Sequence, residues 1–338
     1  MRVSVLHGPF DGGPGKLVLE ERSVPEPRAG EVLLKILAVG VCGSDVHYYR
    51  EGRIGSYIVT SSLVLGHEPA GQIVALGEGV NGLEVGQRVS LEPGVPSPYS
   101  TQTLAGHYNL DPAVSFFATP PVDGVFAEYV VHPAAFCHPV PDSVSDAAAA
   151  LLEPLSVALA ARQAAGISIG DRVLVAGAGP VGLLISQVAQ LAGATVTVTD
   201  VRADRLEVAG RYGADSVFTA QDAPEVLPEF SVFIDATGAR PAITAGLQRL
   251  APRGRCVLVG MGAETVEVPL QLVQGRELNI TGTFRYANTW PTAIALAAAG
   301  AVDLDGLVSS THSLDQVEEA LLAGEVPGAL KAIVRPHG

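Results

Sequence analysis

The chain has 338 residues, 48% of them hydrophobic and 17% charged, with a net charge of -14 and a pI near 4.9. Such a balance suits a packed globular enzyme and excludes a disordered tail. With lysine only at Lys16, Lys35 and Lys331 there is no basic footprint for nucleic acid. The length exceeds what one core usually serves, so two domains are expected. Cys42, Cys137 and Cys256 are far apart and odd in number. They make no disulfide framework, and a reducing cytoplasm is the expected compartment. The opening "MRVSVLHGPFDGG" lacks the apolar core of a signal peptide.

In chain order, "EVLLKILAVGVC" (31–42), "GQIVALGEGV" (71–80) and "GQRVSLEPG" (86–94) read as strands bounded by Gly, Asn and Pro. They predict a β-rich first domain with long loops. The stretch 95–121, rich in Ser, Thr and Pro, has no period and is expected to be a functional or lobe-like loop. From about residue 146 the pattern changes. "SDAAAALLEPLSVALAARQAAG" is helical, with Pro154 marking a break or a new first turn. "RVLVAG", "TVTVTD", "SVFIDATG", "RCVLVG" and "LNITGTF" then read as strands, with helices "PVGLLISQVAQLAG" and "RADRLEVAGRYG" between the first of them. This alternation predicts an α/β fold with a doubly wound parallel sheet. Helix-like "TWPTAIALAAAG" and "LDQVEEALLAG" and a short strand "LKAIVRP" complete the chain from 287.

Val173 to Thr199 carries no charge and is long enough to span a bilayer. Its apolar period switches twice around "GAGPVG", however, so it reads as strand, turn, helix, turn and strand, with no membrane span. Within that turn Gly177, Gly179 and Gly182 have G-x-G-x-x-G spacing after a strand and before a helix, on which Val181, Leu184, Ile185 and Val188 share a face. Gly177 permits the turn, Gly179 lets a pyrophosphate approach, and Gly182 lets helix and strand pack closely. The helix N-terminus offers N–H groups to the phosphates. Asp200 ends the second strand, where a carboxylate accepts ribose hydroxyls and repels a 2′-phosphate; this favours NAD, and Arg202 and Arg205 could soften the preference.

The segment "VCGSDVHYY" (41–49) holds Cys42, Ser44 and His47. Spacing alone leaves three readings of Cys42 open: packing, nucleophile or metal ligand. "VLGHEPAG" adds His67 and Glu68, and "LLEPLSV" adds Glu153. Each has a bland reading, as a polar turn or as a carboxylate at a helix start. Together they offer a thiolate, an imidazole and carboxylates, a donor set that suits four-coordinate catalytic zinc with an open position.

In this order "CGSDVHYY", "GHE", "EPLSV" and "GAGPVG" resemble the zinc-dependent medium-chain dehydrogenase/reductases over essentially the whole chain. "GRIG", "YNL", "ATPP" and "FRYANTWP" narrow the resemblance to the sorbitol (L-iditol) and xylitol dehydrogenase branch. The resemblance implies a GroES-like catalytic domain over 1–153 and 287–338 and a Rossmann NAD-binding domain over 154–286. It implies that Cys42, His67 and Glu68 hold one zinc, with Glu153 a direct ligand or acting through the zinc-bound water. It makes Ser44 and His47 a proton relay, although both could simply cap the loop. Tyr48, Phe116, Thr119, Arg285 and Tyr286 become substrate-binding, and Arg285 and Tyr286 face distal hydroxyls. Cofactor contacts extend to Gly177, Gly179, Pro180, Val181, Gly182, Asp200, Arg205, Val259, Gly260, Thr283 and Phe284. The implied reaction is oxidation of a polyol, a small-molecule substrate, with NAD as hydride acceptor.

Small-alcohol relatives carry a second cysteine where this chain has Glu153. Many relatives also bind a structural zinc in the long loop through four cysteines; here Ser97, Ser100, Thr103 and Asp111 stand at those positions. The expectation is therefore no structural zinc, and a homo-oligomer, a tetramer favoured, since the family uses this lobe in subunit contacts. Two rival readings are a zinc-free reductase, which predicts no Cys/His/Glu set, and a non-catalytic dinucleotide-binding protein of the same fold.

Overall fold

The computed structural model describes residues 1–8, 14–222 and 229–338. The chain divides into two compact units, one of Met1–Glu153 with Trp290–Gly338 and one of Pro154–Thr289.

The first unit is built on a sheet whose central strand is Glu31–Gly40. Its alternate residues Val32, Leu34, Ile36 and Ala38 are buried, the period-two pattern of a strand with one core face. Glu68–Leu76 pairs with it antiparallel along one edge and Lys331–Arg335 along the other, near its C-terminal end. Tyr129–Pro133 also pairs with it, while Arg88–Leu91 and Cys137–Pro139 extend the sheet beyond Glu68–Leu76 and Val308–Ser313 extends it beyond Lys331–Arg335. A smaller sheet joins Arg2–His7 to Lys16–Glu21 and Leu63–Val64. Both sheets bury into one core that includes Val5, Leu34, Ile73, Leu91, Phe126 and Val334.

The aperiodic loop proves to have structure of its own. Gly94–Val95 pairs with Ser115–Phe116, and between them lie a short helix, Thr101–Leu104, and a 3-10 turn, Tyr108–Leu110. Ser100 caps that helix, its Oγ accepting from Thr103 N at 3.1 Å and donating to Thr103 Oγ1 at 2.9 Å. The buried Asp111 carboxylate accepts from the backbone N–H groups of Ser97 and Ala113. Tyr108 OH donates to Glu92 at 2.7 Å, and the same carboxylate lies 3.0 Å from His138 Nε2, which ties the loop to the sheet.

The second unit contains six parallel strands among the described residues. In spatial order they are Ser216–Thr219, Thr195–Asp200, Arg172–Ala176, Phe230–Asp235, Leu250–Leu258 and Asn279–Gly282. Numbered along the chain this is 3-2-1-4-5-6, the doubly wound dinucleotide-binding order. The uncharged stretch forms two of these strands and the helix Pro180–Leu191 between them. Among the described residues no helix is long and apolar enough to cross a membrane.

That helix differs from the single apolar face expected. Leu183, Leu184, Ile185, Val188 and Ala189 are all buried, whereas Val181 is partly exposed. The turn at Gly213 packs on its outer side, where a Cβ would come within 2.9 Å of Ser186 O, so the helix is covered on more than its sheet side. Pro154 falls in the first turn of helix Leu152–Ala165, where its missing N–H has no intrahelical partner to lose.

Gly182 allows no side chain, because a Cβ there would sit 1.9 Å from Gly177 O. Gly182→Ala is therefore expected to force the turn off the helix and cost ~1–3 kcal/mol. Chemical denaturation should show a lower midpoint and NADH titration a loss of binding; unchanged binding would mean that the turn relaxes freely.

Candidate metal centre and dinucleotide turn

Cys42 follows the central strand and caps helix Gly43–Glu51, an element with little apolar periodicity that buries only Asp45, Tyr48 and Tyr49. The helix turns Ser44 and Asp45 inward and leaves His47 exposed. His67 and Glu68 come from the start of the neighbouring strand, where Glu68 lies in register with Gly40. Donor atoms of Cys42, His67 and Glu68 all fall within 4.8 Å of one another. Glu153 is also buried, at the start of helix Leu152–Ala165, but stands outside that set.

Each donor is aimed by a partner. Asp45 is fully buried and accepts from Cys42 N at 3.0 Å and Gly66 N at 2.9 Å. Its Oδ1 also lies 3.4 Å from His67 Nδ1. Burial would raise the Asp45 pKa, yet the His67 charge and these hydrogen bonds outweigh it and hold the carboxyl below its usual range. An anion facing Nδ1 keeps the ring proton there and leaves Nε2 as the lone-pair donor. Ser44 Oγ lies 3.5 Å from that nitrogen. Burial opposes protonation of His67, but the charges of Asp45 and Cys42 prevail and raise its pKa, the field a cation at this place would also feel.

Glu68 is fully buried, with Oε1 2.6 Å from Lys331 Nζ. Its Oε2 is buried with no hydrogen-bond partner. A Cβ on Gly40 would come within 1.9 Å of that oxygen, so the strand opposite must be glycine here. A buried carboxylate oxygen without a donor is costly unless something positive completes it. Thiolate, imidazole and carboxylate are the donors zinc takes, so the residues present fit the metal. Cys137 and Cys256 do not compete as ligands, because burial pushes both thiols up to about 12.

Around these donors, the Phe116 ring stands 5.8 Å from the His67 ring, and Thr119 N donates to Phe116 O at 3.1 Å. Tyr48 is buried on the same helix as Ser44. His47 Nδ1 pairs with Glu51 at 3.0 Å on the exposed face of that helix.

In the second unit Gly177 has φ 105°, which a side chain would strain. At Gly179 a Cβ would meet nothing closer than Arg205 Nη1 at 3.6 Å, so the backbone there is open to approach. Pro180 and Val181 begin the helix directly behind it. Asp200 accepts from Ala178 N at 2.6 Å and from Arg202 N at 2.8 Å, and thereby joins the glycine turn to the next strand's end. Arg202 pairs with Asp204 at 2.5 Å. Val259 and Gly260 both donate to Asp235 O, and Gly260 packs so close to Gly238 that a Cβ would lie 2.2 Å from its nitrogen. Thr283 N bonds Leu258 O, and beyond it the Arg285 guanidinium lies over the Phe284 ring at 4.7 Å. Tyr286 is buried in the same segment.

Sequence reading missed Asp45 and Lys331. Asp45 stands three residues after the helix-capping Cys42, the spacing at which an acidic side chain reaches back to the cap N–H. Lys331 is one of three lysines and opens a buried apolar strand, a combination that is rare unless the charge is paired.

Cys42→Ser is expected to lose the metal while NADH binding stays intact, since the two sets of residues lie in separate units. Metal analysis should fall from one zinc per chain to none; a variant that retains zinc would refute Cys42 as a ligand. Asp200→Ala should weaken NAD⁺ binding by about 10–100-fold, because one charged acceptor is worth ~1.5–3 kcal/mol. It should weaken NADP⁺ binding far less, and isothermal titration of both cofactors checks this.

Comparison with known proteins agrees with this geometry. The sequence model of the alcohol dehydrogenase GroES-like domain matches residues 28–142, and that of the zinc-binding dehydrogenase matches residues 180–299. Sorbitol dehydrogenase from Macaca fascicularis is 44% identical, covering 91% of this chain and 89% of its own. Sorbitol dehydrogenase from Bos taurus is 42% identical, covering 96% and 94%. Among solved structures, L-idonate 5-dehydrogenase from Escherichia coli K-12 superposes with a TM-score of 0.90 at 29% identity, covering 99% of each chain. A short chain alcohol dehydrogenase of E. coli CFT073, complexed with NADH, gives a TM-score of 0.90 at 30% identity, again over 99% of each. With its donor set, its two units and these likenesses, the chain belongs to the zinc-dependent medium-chain dehydrogenase/reductases.

Proposed function

We propose that this protein oxidises a secondary hydroxyl of a polyol, of the sorbitol or xylitol kind, to the ketose with NAD⁺. The observation that carries the reading is the Cys42–His67–Glu68 set, with His67 and Glu68 buried and one carboxylate oxygen lacking a donor, in a chain 44% identical to a sorbitol dehydrogenase. When bound, zinc supplies a Lewis acid for the hydroxyl and NAD⁺ an acceptor for the hydride of the carbinol carbon.

The chain's residues do the rest. Cys42, His67 and Glu68 hold the metal, and the buried Glu153 carboxylate adds a second acidic group near it. Ser44, beside His67 Nε2, relays the hydroxyl proton, accepting it as it hands on its own. His47, exposed on the same helix, returns it to solvent. Gly177, Gly179, Pro180, Val181 and Gly182 receive the pyrophosphate, and Asp200 and Arg205 the adenosine ribose. Val259, Gly260, Thr283 and Phe284 line the nicotinamide half. Tyr48, Phe116, Thr119, Arg285 and Tyr286 are the substrate-binding residues in this reading. In this reading 1–153 with 287–338 form the catalytic domain and 154–286 the NAD-binding domain.

We further infer a cytoplasmic homotetramer with one zinc per chain. The lobe exposes Tyr99, Leu104 and Leu110, apolar groups that suit a subunit contact. Light scattering of the purified protein would return the tetramer mass, and a monomer at working concentration would overturn this.

A site built to hydrogen-bond hydroxyls rejects analogues lacking them by up to ~10⁴. Steady-state rates with NAD⁺ should therefore give sorbitol or xylitol at least about 10²-fold higher kcat/KM than butanol. Equal efficiencies would refute the polyol assignment.

A further inference from the structure

The Cys42, His67, Glu68 and Glu153 set carries more negative charge than a zinc ion can cancel. A dication beside one thiolate and two carboxylates leaves one net negative charge, in a place where Glu68 is fully buried and Glu153 nearly so. A cysteine in place of Glu153 would leave the same formal count once Glu68 is included, so the surplus belongs to Glu68. Asp45 adds no further demand, since two backbone N–H groups and the His67 ring already meet it.

Lys331 is the cation that answers this surplus. Its side chain is 4% exposed and its Nζ lies 2.6 Å from Glu68 Oε1. Burial disfavours the charge on Lys331, and the negative charges of Glu68, Cys42 and Glu153 oppose that. Because Oε1 is held by the ammonium, Oε2 is the oxygen left over, and that oxygen is the one with no donor. Gly40 clears the space beside it.

We propose that Lys331 is a positioning residue of the metal centre: it clamps Glu68 by Oε1, leaves Oε2 for zinc, and supplies the positive charge that a site with two carboxylates and a thiolate lacks. The proposal deepens the zinc reading above and rests on it. It assigns the C-terminal strand Lys331–Arg335 a part in holding the metal, although that strand contributes no ligand.

A purely structural pair would make a different prediction. If Lys331 served only to neutralise Glu68 for packing, its loss would destabilise the metal-free and the zinc-loaded protein alike, and zinc would leave no faster. The test is release of zinc from loaded protein to an excess of chelator, followed by a chromogenic indicator, for wild type, Lys331→Met and Lys331→Arg. Removing a partner that orients a metal ligand costs roughly 10–100-fold in metal affinity. Lys331→Met is therefore expected to release zinc at least about tenfold faster than wild type. Lys331→Arg, which keeps charge and donor, should stay near the wild-type rate. The rise in Tm on adding zinc to metal-free protein should shrink in Lys331→Met, while NADH affinity, read by fluorescence, stays unchanged. Should Lys331→Met not accumulate folded, Lys331→Gln, which keeps a donor but no charge, takes the same measurements. Wild-type release rates and a full zinc increment in the uncharged variant would overturn the proposal. A wild-type protein that retains no zinc would overturn the zinc reading instead.

Discussion

A buried carboxylate with one oxygen paired and the other bare is the constraint on which the metal centre depends. Isolated, such an anion would cost several kcal/mol or would take up a proton. Glu68 stays acceptable because an ammonium meets one oxygen and a metal ion can meet the other. The neighbouring requirements follow from that placement. The facing residue must be glycine, since any Cβ at position 40 would collide with the carboxylate. An anion at His67 Nδ1, which Asp45 provides, leaves Nε2 as the lone-pair donor of the ring. Asp45 in turn needs donors, and draws them from Cys42 N and Gly66 N. Cys42 and His67, far apart in sequence, are thus referred to one carboxylate. A disturbance at any of these groups reaches the others through hydrogen bonds a few ångströms long.

The second unit solves a different electrostatic problem by different means. There the backbone supplies the charge: a helix start faces the open turn at Gly179, and the glycine spacing keeps that turn close to the strand. Side chains enter mainly to fix the frame. Asp200 accepts from the turn at Ala178 N and from Arg202 N two residues on, so one carboxylate sets the relation between the glycine turn and the strand end. A dinucleotide that used this carboxylate for its ribose would have to share it with, or take it from, those backbone donors.

What the sequence made legible depended on whether the determining pattern was local. The parallel sheet was readable because a strand buried on both faces, such as "VLVA", gives an unbroken apolar run, because "TVTV" is rich in β-branched residues, and because the glycine spacing falls between the two. Ser216–Thr219, an edge strand with half-exposed residues, gave no such run and went unnoticed. Helix Gly43–Glu51 was hidden for a related reason: it has scarcely any apolar period, and a capping cysteine holds its start. The candidate metal donors could be named from residue type and from a long ordered resemblance, whereas their supports could not. Asp45 acts through a bond to a backbone N–H, and Lys331 meets Glu68 across a sequence separation of 263 residues. The loop 95–121 showed no period because its order comes from single bonds to the buried Asp111 and to Glu92, not from repetition.

The pairing of Lys331–Arg335 with Glu31–Gly40 fixes when this protein can become complete. The ribosome delivers the whole of Pro154–Thr289, a contiguous stretch with its own sheet, before the strand that closes the first unit has been made. Domains tend to fold as units while synthesis proceeds. The dinucleotide unit is thus free to form early, while the central strand of the other sheet lacks one of its neighbours at Val39 and Gly40 and Glu68 lacks its cation. The ion pair between Lys331 and Glu68 is therefore a contact that synthesis can complete only after the whole of Pro154–Thr289 has been made.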